Sequence, residues 1–240
     1  MRKATTSSKC RIATRLMSLR SSPFFWSGLL AVNYLIETMA KLKLYVENYM
    51  AGDHKLGELN LLFTFQVNCP GCFSYGFPLM ELLREKYHDR ISFLALSTAF
   101  EDYEFNNVEN TELLVQEGQL VGETKKMFGE QLPYPIKIPV AMDQVAGSNV
   151  DLESLAEEMC HAISDFSIRS NSDKNEMHVR IKNYLLSQER ISLTFSVNLF
   201  QGTPTFVLFD NSYEILFSWF GHRPKEQIEN TIDEYIRKYS

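Results

Sequence analysis

Two cysteines three positions apart, Cys69 and Cys72, are the residues of this 240-residue chain whose type and spacing most directly suggest chemistry. The apolar run before them, residues 59–67, is typical of a strand buried on both faces, and the segment after them has apolar residues at helical spacing. Cys69 is therefore expected where a helix begins, and the unpaired N–H groups and positive potential at that end stabilise a thiolate. In such motifs the cysteine pKa falls from ~8.5 to roughly 3.5–7.5. This argument predicts Cys69 as the attacking sulfur and Cys72, one turn later, as the resolving sulfur.

The residues between the two cysteines suit this position. Pro70 fits an early helical site because its missing N–H would have been unpaired there anyway, and Gly71 keeps the surface around the sulfurs open.

Two other interpretations compete with a reactive pair. A structural zinc site needs four ligands, and the remaining candidates are Cys10, Cys160 and five scattered histidines. The second alternative is that the two cysteines are inert thiols at a strand-to-helix turn.

The elements that position the cysteines form a strand–helix–strand unit. The helix after the cysteines covers residues 73–87, with an expected kink at Pro78, and residues 91–98 form a second buried strand. Two parallel strands joined by a helix imply a right-handed crossover. The further predicted elements are helices at 110–120, 123–128, 151–164 and 175–188, an edge strand at 134–140, strands at 205–210 and 214–219, and a closing helix at 225–239.

A second motif, Gly202-Thr203-Pro204-Thr205, directly precedes one of these strands. Proline is tolerated at the head of a strand, and a buried X-Pro bond there is a candidate for the cis form. The motif is weak alone. It becomes specific in combination with the upstream cysteine pair and the strand pair and helix that follow it.

These motifs together resemble the thioredoxin-like superfamily, in particular its thiol-disulfide oxidoreductases of the TlpA and redoxin type. The matching segments are FTFQVNCPGC at 63–72, Pro78, GTPTFVLFD at 202–210, EILFSWFG at 214–221 and the last helix, with IPVAMD at 138–143 similar to a segment of the redoxin group. The resemblance covers residues 55–145 and 195–240. It implies an α/β, thioredoxin-like fold, in which a central mixed sheet is flanked by helices, with a helical insertion at about 145–195 before the cis-proline strand.

The resemblance also implies roles for individual residues. Cys69 would be the nucleophile and Cys72 the resolving thiol, so that the chain acts on protein or small-thiol disulfides without any metal or organic cofactor. Thr203 and Pro204 would form the cis-proline loop that faces the sulfurs and pairs with the substrate backbone, as an added strand does. With Pro70 and Gly71 they make up the predicted substrate-binding residues. The implied partners are protein disulfides or dithiols and a thiol reductant, and we expect a monomer.

Several positions depart from the thioredoxin pattern. The inner dipeptide Pro70-Gly71 is reversed, and Asn68 replaces the tryptophan that usually precedes the first cysteine. Phe63 stands where thioredoxin keeps a buried acid, so an internal base for Cys72 is missing there. Three acids follow the second predicted strand and would have to serve as the base for Cys72 through a bridging water. Acids at strand ends are usually only solvated. The three are Glu101, Asp102 and Glu104.

Two alternative functions remain. A thiol peroxidase of the peroxiredoxin kind needs Pro and Thr seven and three residues before its reactive cysteine, and here those positions hold Leu62 and Gln66. A non-catalytic thioredoxin-fold binding module, such as a copper carrier, usually has a Met- or His-rich site and wider cysteine spacing. Neither feature is present in the sequence around the cysteine pair.

The charge distribution sets the N-terminus apart. The formal net charge of −6 argues against a nucleic-acid partner, yet residues 1–38 carry six basic residues and one acid. Residues 1–40 have three interpretations: an organelle transit peptide, a secretory signal or membrane anchor, or a non-folded upstream extension with Met39 as the working start. We place the folded domain at 41–240. The first and third interpretations favour a cytoplasmic or organellar location, and the second implies a secretory or periplasmic one with membrane contact through the anchor.

Within the predicted insertion, the helices at 151–164 and 175–188 are separated by a polar stretch at 167–174. They are expected to cap one side of the domain, and a surface for a partner is an alternative role that we do not favour. Cys160 lies within the first of them, and we interpret it as a small buried filler in preference to a third redox thiol. Trp219 and the Phe-rich strands are interpreted as core.

Overall fold

The strand that leads to the two cysteines lies in the middle of a six-stranded sheet, whose order is β1–β4–β3–β2–β5–β6. The computed structural model describes residues 41–147 and 149–239. The predictions for residues 1–40, Cys10 included, lie outside the described residues. The strands are β1 (Val46–Ala51), β2 (Leu59–Phe65), β3 (Ile91–Ser97), β4 (Val140–Asp143), β5 (Thr205–Asp210) and β6 (Ile215–Phe220).

Helices flank the sheet, and several of them lie in the chain between β4 and β5. A π-helical turn, Cys72–Gly76, leads directly into α1 (Phe77–Tyr87). The remaining helices are α2 (Val108–Glu117), α3 (Gly122–Phe128), α4 (Leu152–His161), a 3-10 turn (Phe166–Ile168), α5 (Asn171–Ser187), α6 (Leu193–Val197) and α7 (Lys225–Lys238). None of the helices in the described part of the chain has both the length and the apolar character needed to cross a membrane.

The strand directions give a mixed sheet. Strands β2 and β3 are parallel, as are β3 and β4, whereas β5 is antiparallel to β2 and β6 is antiparallel to β5. Strand β1 forms the outer edge beside β4, to which it is antiparallel. The predicted α/β fold with a central mixed sheet flanked by helices is therefore confirmed.

Strand β2 is buried along its whole length because both of its faces are covered. On one face, Phe63 belongs to the core that includes residues of α1 and α7. On the other face, Leu62 packs in a separate cluster with Leu94 and Val207. A strand buried on both faces has no polar alternation, which explains the apolar run in the sequence.

An aromatic cluster anchors the cysteine-bearing helix to the sheet. The Phe63 ring stacks on Phe206 with centroids 4.9 Å apart and meets Phe77 edge-on at 5.1 Å. Gly76, in the π-helical turn, lies so close to this cluster that a Cβ atom there would come within 2.4 Å of the Phe63 ring. Helix and strand can therefore approach this closely only because residue 76 has no side chain.

The helix that follows the cysteines is irregular where Pro78 was expected to disturb it. The Phe77 N–H bonds to the Cys72 carbonyl, five residues back, and the hydrogen bonding becomes α-helical from Phe77 onward. Pro78 lies within the first two positions of α1 and has no N–H to offer. The π-helical turn is one of the recognised causes of a helix irregularity.

Two predictions about the strands were wrong. Residues 134–139 do not form the predicted edge strand; they run irregularly through Pro135 and Pro139, and β4 begins only at Val140. Strand β4 is also internal, because β1 pairs along its other side. The sequence analysis did not predict β1, of whose six residues three are exposed and three half-buried, with no apolar alternation.

Between β4 and β5, α4 and α5 pack together around a second apolar cluster. Cys160 is fully buried in this cluster, and burial raises the pKa of its thiol, which confirms its interpretation as a buried filler. The predicted Asp cap of α4 is also confirmed, since Asp151 accepts from the Glu153 N–H at 3.0 Å. Helix α5 begins earlier than predicted, within the stretch assigned to a loop, because Ser170 caps it through the Asp173 N–H.

Candidate functional site

Cys69 and Cys72 lie where the central strand gives way to the helix. The chain turns at Val67 and Asn68, just after β2. The Cys69 N–H donates to the Gln66 carbonyl across this turn at 3.1 Å. Helical backbone begins at Pro70, so Cys69 directly precedes the first helical residue. Cys69 is partly exposed and Cys72 is fully buried. The strand-to-helix position predicted for the pair is thus the one observed.

The two sulfur atoms lie together but in unlike surroundings. They are 2.6 Å apart, and the Cys72 N–H points at the Cys69 sulfur over 3.3 Å; both cysteines are free thiols. The hydrogen bond from the Cys72 thiol lowers the pKa of Cys69 to about 7, against the opposing effect of burial, with further help from the N–H groups of Cys72 and Gly71. Burial, followed by the neighbouring Cys69, raises the pKa of Cys72 well above its ordinary value. Cys69 is therefore the sulfur that ionises first.

The Thr203–Pro204 loop lies against the cysteines. Its peptide bond is cis, as the sequence suggested, and the Thr203 carbonyl oxygen is 3.5 Å from the Cys69 sulfur. The Pro204 carbonyl accepts the Gly221 N–H at 2.8 Å, which ties the loop to the end of β6. Gly71 is exposed, and a Cβ atom there would lie 3.7 Å from the Pro204 ring, an ordinary van der Waals distance. Gly71 and the Thr203–Pro204 loop therefore lie beside the Cys69 sulfur, with Pro204 itself buried.

The acids after β3 take positions that sequence reasoning did not resolve. The Asp102 carboxylate accepts a hydrogen bond from the Asn68 side chain at 3.1 Å, and Glu104 is exposed. Glu101 is partly buried, and burial and the neighbouring Asp102 raise its pKa. Phe63, at the position of the missing acid, is fully buried in the aromatic cluster.

Sequence reasoning missed two residues near the cysteines. Gln66 is buried, and its side-chain oxygen lies 3.3 Å from the Thr203 hydroxyl, so it links the turn before Cys69 to the cis-proline loop. Tyr134 donates its hydroxyl to the Phe73 carbonyl at 2.5 Å, and burial together with the charge of Cys72 raises its pKa. For Gln66, the usable signal in the sequence was a polar glutamine at the end of an apolar run. The Tyr134 contact spans 61 positions and left no local signal.

No group of three or more His, Cys, Asp or Glu side chains in residues 41–147 and 149–239 is arranged to hold a metal ion. The site is instead a pair of thiols, one acidic and one buried, beside the cis-proline loop. Such an arrangement is suited to thiol–disulfide exchange, in which a thiolate attacks and a second thiol resolves the mixed disulfide.

No protein-family model matches this sequence, and no curated protein is similar enough to count as a relative. Solved structures do resemble it. A thioredoxin-like superfamily protein superimposes with a TM-score of 0.51 at 18% identity, over 82% of this chain and 96% of that one. A thiol-disulfide isomerase from Corynebacterium glutamicum gives a TM-score of 0.48 at 18% identity, over 84% of this chain and 98% of its own. With the observed strand order and the position of the cysteines, the first similarity shows that this chain has a thioredoxin-like fold.

Proposed function

We propose that this protein is a thiol-disulfide oxidoreductase of the TlpA and redoxin type, which exchanges disulfides through Cys69 and Cys72. The observation that carries the proposal is the contrast between the two adjacent sulfurs. Cys69 is partly exposed with a pKa lowered to about 7, whereas Cys72 is buried with a raised pKa. A nucleophile with a pKa near the ambient pH and a protonated resolving partner meet the requirements of stepwise exchange.

The reaction starts with the Cys69 thiolate attacking one sulfur of a substrate disulfide. A mixed disulfide forms, and the other substrate sulfur leaves as a thiolate that takes up a proton. Cys72 then loses its proton and attacks the Cys69 sulfur, which releases the reduced substrate and leaves a Cys69–Cys72 disulfide. The dithiol has supplied two electrons, and a thiol reductant restores it. The same steps run backward oxidise a substrate dithiol.

The proposed substrate-binding residues are Pro70, Gly71, Thr203 and Pro204. Gly71 leaves the approach to Cys69 open, since it is exposed and carries no side chain. The Thr203 backbone borders the sulfur, where an extended substrate segment can pair with it as an added strand does. The partners we propose are protein disulfides or dithiols and a thiol reductant, with no nucleic acid, and the protein acting as a monomer.

The thiol-peroxidase alternative has less support. Leu62 is packed in the core on the opposite face of the sheet from Phe63, and Gln66 holds the Thr203 hydroxyl. Neither residue supplies the proline and threonine that the peroxidase pattern uses before its cysteine. A non-catalytic binding module does not explain the contrast between the sulfurs.

For the whole chain we propose a thioredoxin-like domain at 41–240 with a helical insertion at about 145–195. Residues 1–40 are proposed as a leader or an extension outside that domain, and the three interpretations of this segment set the location of the protein. Helices α4 and α5 supply the body of the insertion.

Reduction of insulin disulfides with dithiothreitol as reductant tests the proposed function. We expect the wild-type chain to accelerate the reaction and Cys69→Ser to reduce the rate to the uncatalysed level. Cys160→Ser is the matched control because Cys160 is buried in a separate cluster, and it should keep wild-type activity. Full activity of Cys69→Ser would refute the assignment, and peroxide consumption that needs Cys69 alone would favour the peroxidase.

A further inference from the structure

All three residues between β2 and Cys69 are bonded to a single stretch of chain, residues 101–124. The Gln66 side chain donates to the Glu101 carbonyl at 3.4 Å, and the Val67 carbonyl accepts the Thr124 hydroxyl at 2.8 Å. Asn68 makes the remaining contacts. Residues 66–68, which directly precede the proposed nucleophile, are therefore held in place by a segment that contains no cysteine itself.

Asn68 uses its backbone and both ends of its side-chain amide in this contact. Its backbone N–H donates to the Asn106 side-chain oxygen at 3.0 Å, and its amide nitrogen donates to the Asp102 carboxylate at 3.1 Å. Its amide oxygen accepts the Glu123 N–H at 2.6 Å. A donor and an acceptor on one short side chain are needed to bridge a carboxylate and a backbone N–H, which restricts the residue type.

Gly122 makes room for this side chain. Its φ of +52° lies in the left-handed region that favours glycine, and a Cβ atom at this position would lie 2.0 Å from the Asn68 amide oxygen. The approach of Asn68 to the start of α3 therefore depends on the glycine. Asn106, which holds the Asn68 backbone, is itself buried and donates to the Glu101 carbonyl at 2.8 Å.

We propose that Asn68 is a positioning residue that holds Cys69 in register with the Cys72 N–H and the Thr203 carbonyl, by clamping the preceding turn to Asp102 and to the start of α3. The proposal rests on the proposed function of Cys69. The peptide bond that joins Asn68 to Cys69 transmits any movement of the clamp to the sulfur. The 3.3 Å contact between the Cys69 sulfur and the Cys72 N–H is short enough that a displacement of about 1 Å would break it.

The test is the pH dependence of alkylation of the reduced full-length protein by iodoacetamide, with the Cys69 peptide quantified by mass spectrometry. For Asn68→Ala we expect the midpoint of the Cys69 profile to rise from about 7 by roughly half to one pH unit, because the thiolate loses donors. Insulin reduction at pH 7 should fall by roughly three- to ten-fold. If Asn68→Ala yields no folded protein, Asn68→Ser provides the same measurement with a smaller loss of volume.

Asn198→Ala is the matched control. The Asn198 side-chain amide makes three hydrogen bonds, two to the Lys43 backbone and one to the Thr194 carbonyl, whereas the Asn68 side-chain amide makes two. Asn198 lies in the segment that follows α6. The variant should lose stability without moving the Cys69 midpoint. A role of Asn68 in stability alone would make the two variants behave alike, and an unchanged midpoint in Asn68→Ala would overturn the proposal.

Gly122→Ala provides an independent approach to the same contact. Its added methyl group should displace the Asn68 amide and raise the Cys69 midpoint, as Asn68→Ala does. The double variant should show a midpoint close to that of Asn68→Ala alone, because the two changes disrupt one contact. Additive shifts would contradict the proposal. The alkylation profile reports Cys69 ionisation whether or not insulin is reduced, so failure of the proposed function is distinguishable from failure of the clamp.

Discussion

The Cys69 sulfur lies 3.5 Å from the carbonyl oxygen of Thr203, a residue 134 positions further along the chain. The register of the sheet creates this contact. Strands β2 and β5 are antiparallel with Thr64 opposite Thr205, so the end of one strand and the start of the other share an edge. The cysteine turn and the cis-proline loop both extend from that edge.

Alkylation of the reduced wild-type protein should separate the two thiols. The Cys69 rate is expected to rise as pH increases through about 7, since only the thiolate reacts, while Cys72 stays unreactive to much higher pH. Peptide-resolved mass spectrometry after short exposures at pH 5 to 9 measures both profiles. Two midpoints near the ordinary value of ~8.5 would show that the environment does not activate Cys69.

Cys72→Ser should trap substrates on Cys69. Without the resolving thiol, the mixed disulfide formed by Cys69 cannot be released internally, so it should accumulate. Non-reducing electrophoresis of the variant after incubation with a disulfide-containing protein, with and without reductant, detects the adduct. Cys69→Ser is the control and should form none. Adducts of similar yield in both variants would contradict the division of roles.

Gly76→Ala should destabilise the fold by about 1–3 kcal/mol because the new methyl group overlaps the Phe63 ring, at 2.4 Å. Gly71→Ala is a matched control, since both glycines have helical backbone angles and gain the same helix propensity. At Gly71 the added atom meets only contacts of 3.7 Å or more. Urea unfolding of both variants measures the difference, and equal midpoints would show that the core accommodates the extra carbon.

Asp143 should make stability depend on pH in the acid range. It is fully buried, and it accepts from the N–H groups of Thr194 and Phe195 at 2.9 and 3.1 Å and from the Thr98 hydroxyl at 3.1 Å. Burial nevertheless raises its pKa from 3.8 to about 6. Between these two values the folded state binds the proton and the unfolded state does not, so the free energy of unfolding falls as pH rises, by up to about 1.4 kcal/mol per pH unit.

The Asp143→Asn variant removes this titration. Its free energy of unfolding should therefore improve relative to wild type as pH rises from 4 to 6 and stay parallel to it above pH 7. Urea unfolding at pH 4, 5, 6 and 7 measures the difference. Parallel profiles across the whole range would exclude Asp143 as the source of the acid dependence.

The elements that the sequence predicted correctly are those with strong local patterns. Strands β2 and β3 are continuous apolar runs because both of their faces are buried. Helix α4 was recognised through its Asp cap, which acts on the next residues in the chain. Strand β1 was missed because its sequence, VENYMA, has no alternating pattern and forms a strand only by pairing with β4, nearly one hundred positions away.

The candidate site likewise combines features that follow from the local sequence with contacts between distant segments. The sequence by itself determined that Cys69 stands at a helix start with Cys72 one turn later, because strand, turn and helix follow one another locally. Only the tertiary structure decided that Thr203, Gln66 and the Asn68 clamp surround that sulfur. These contacts join segments far apart in the chain, and the sheet register and the side packing of residues 101–124 bring them within hydrogen-bond distance.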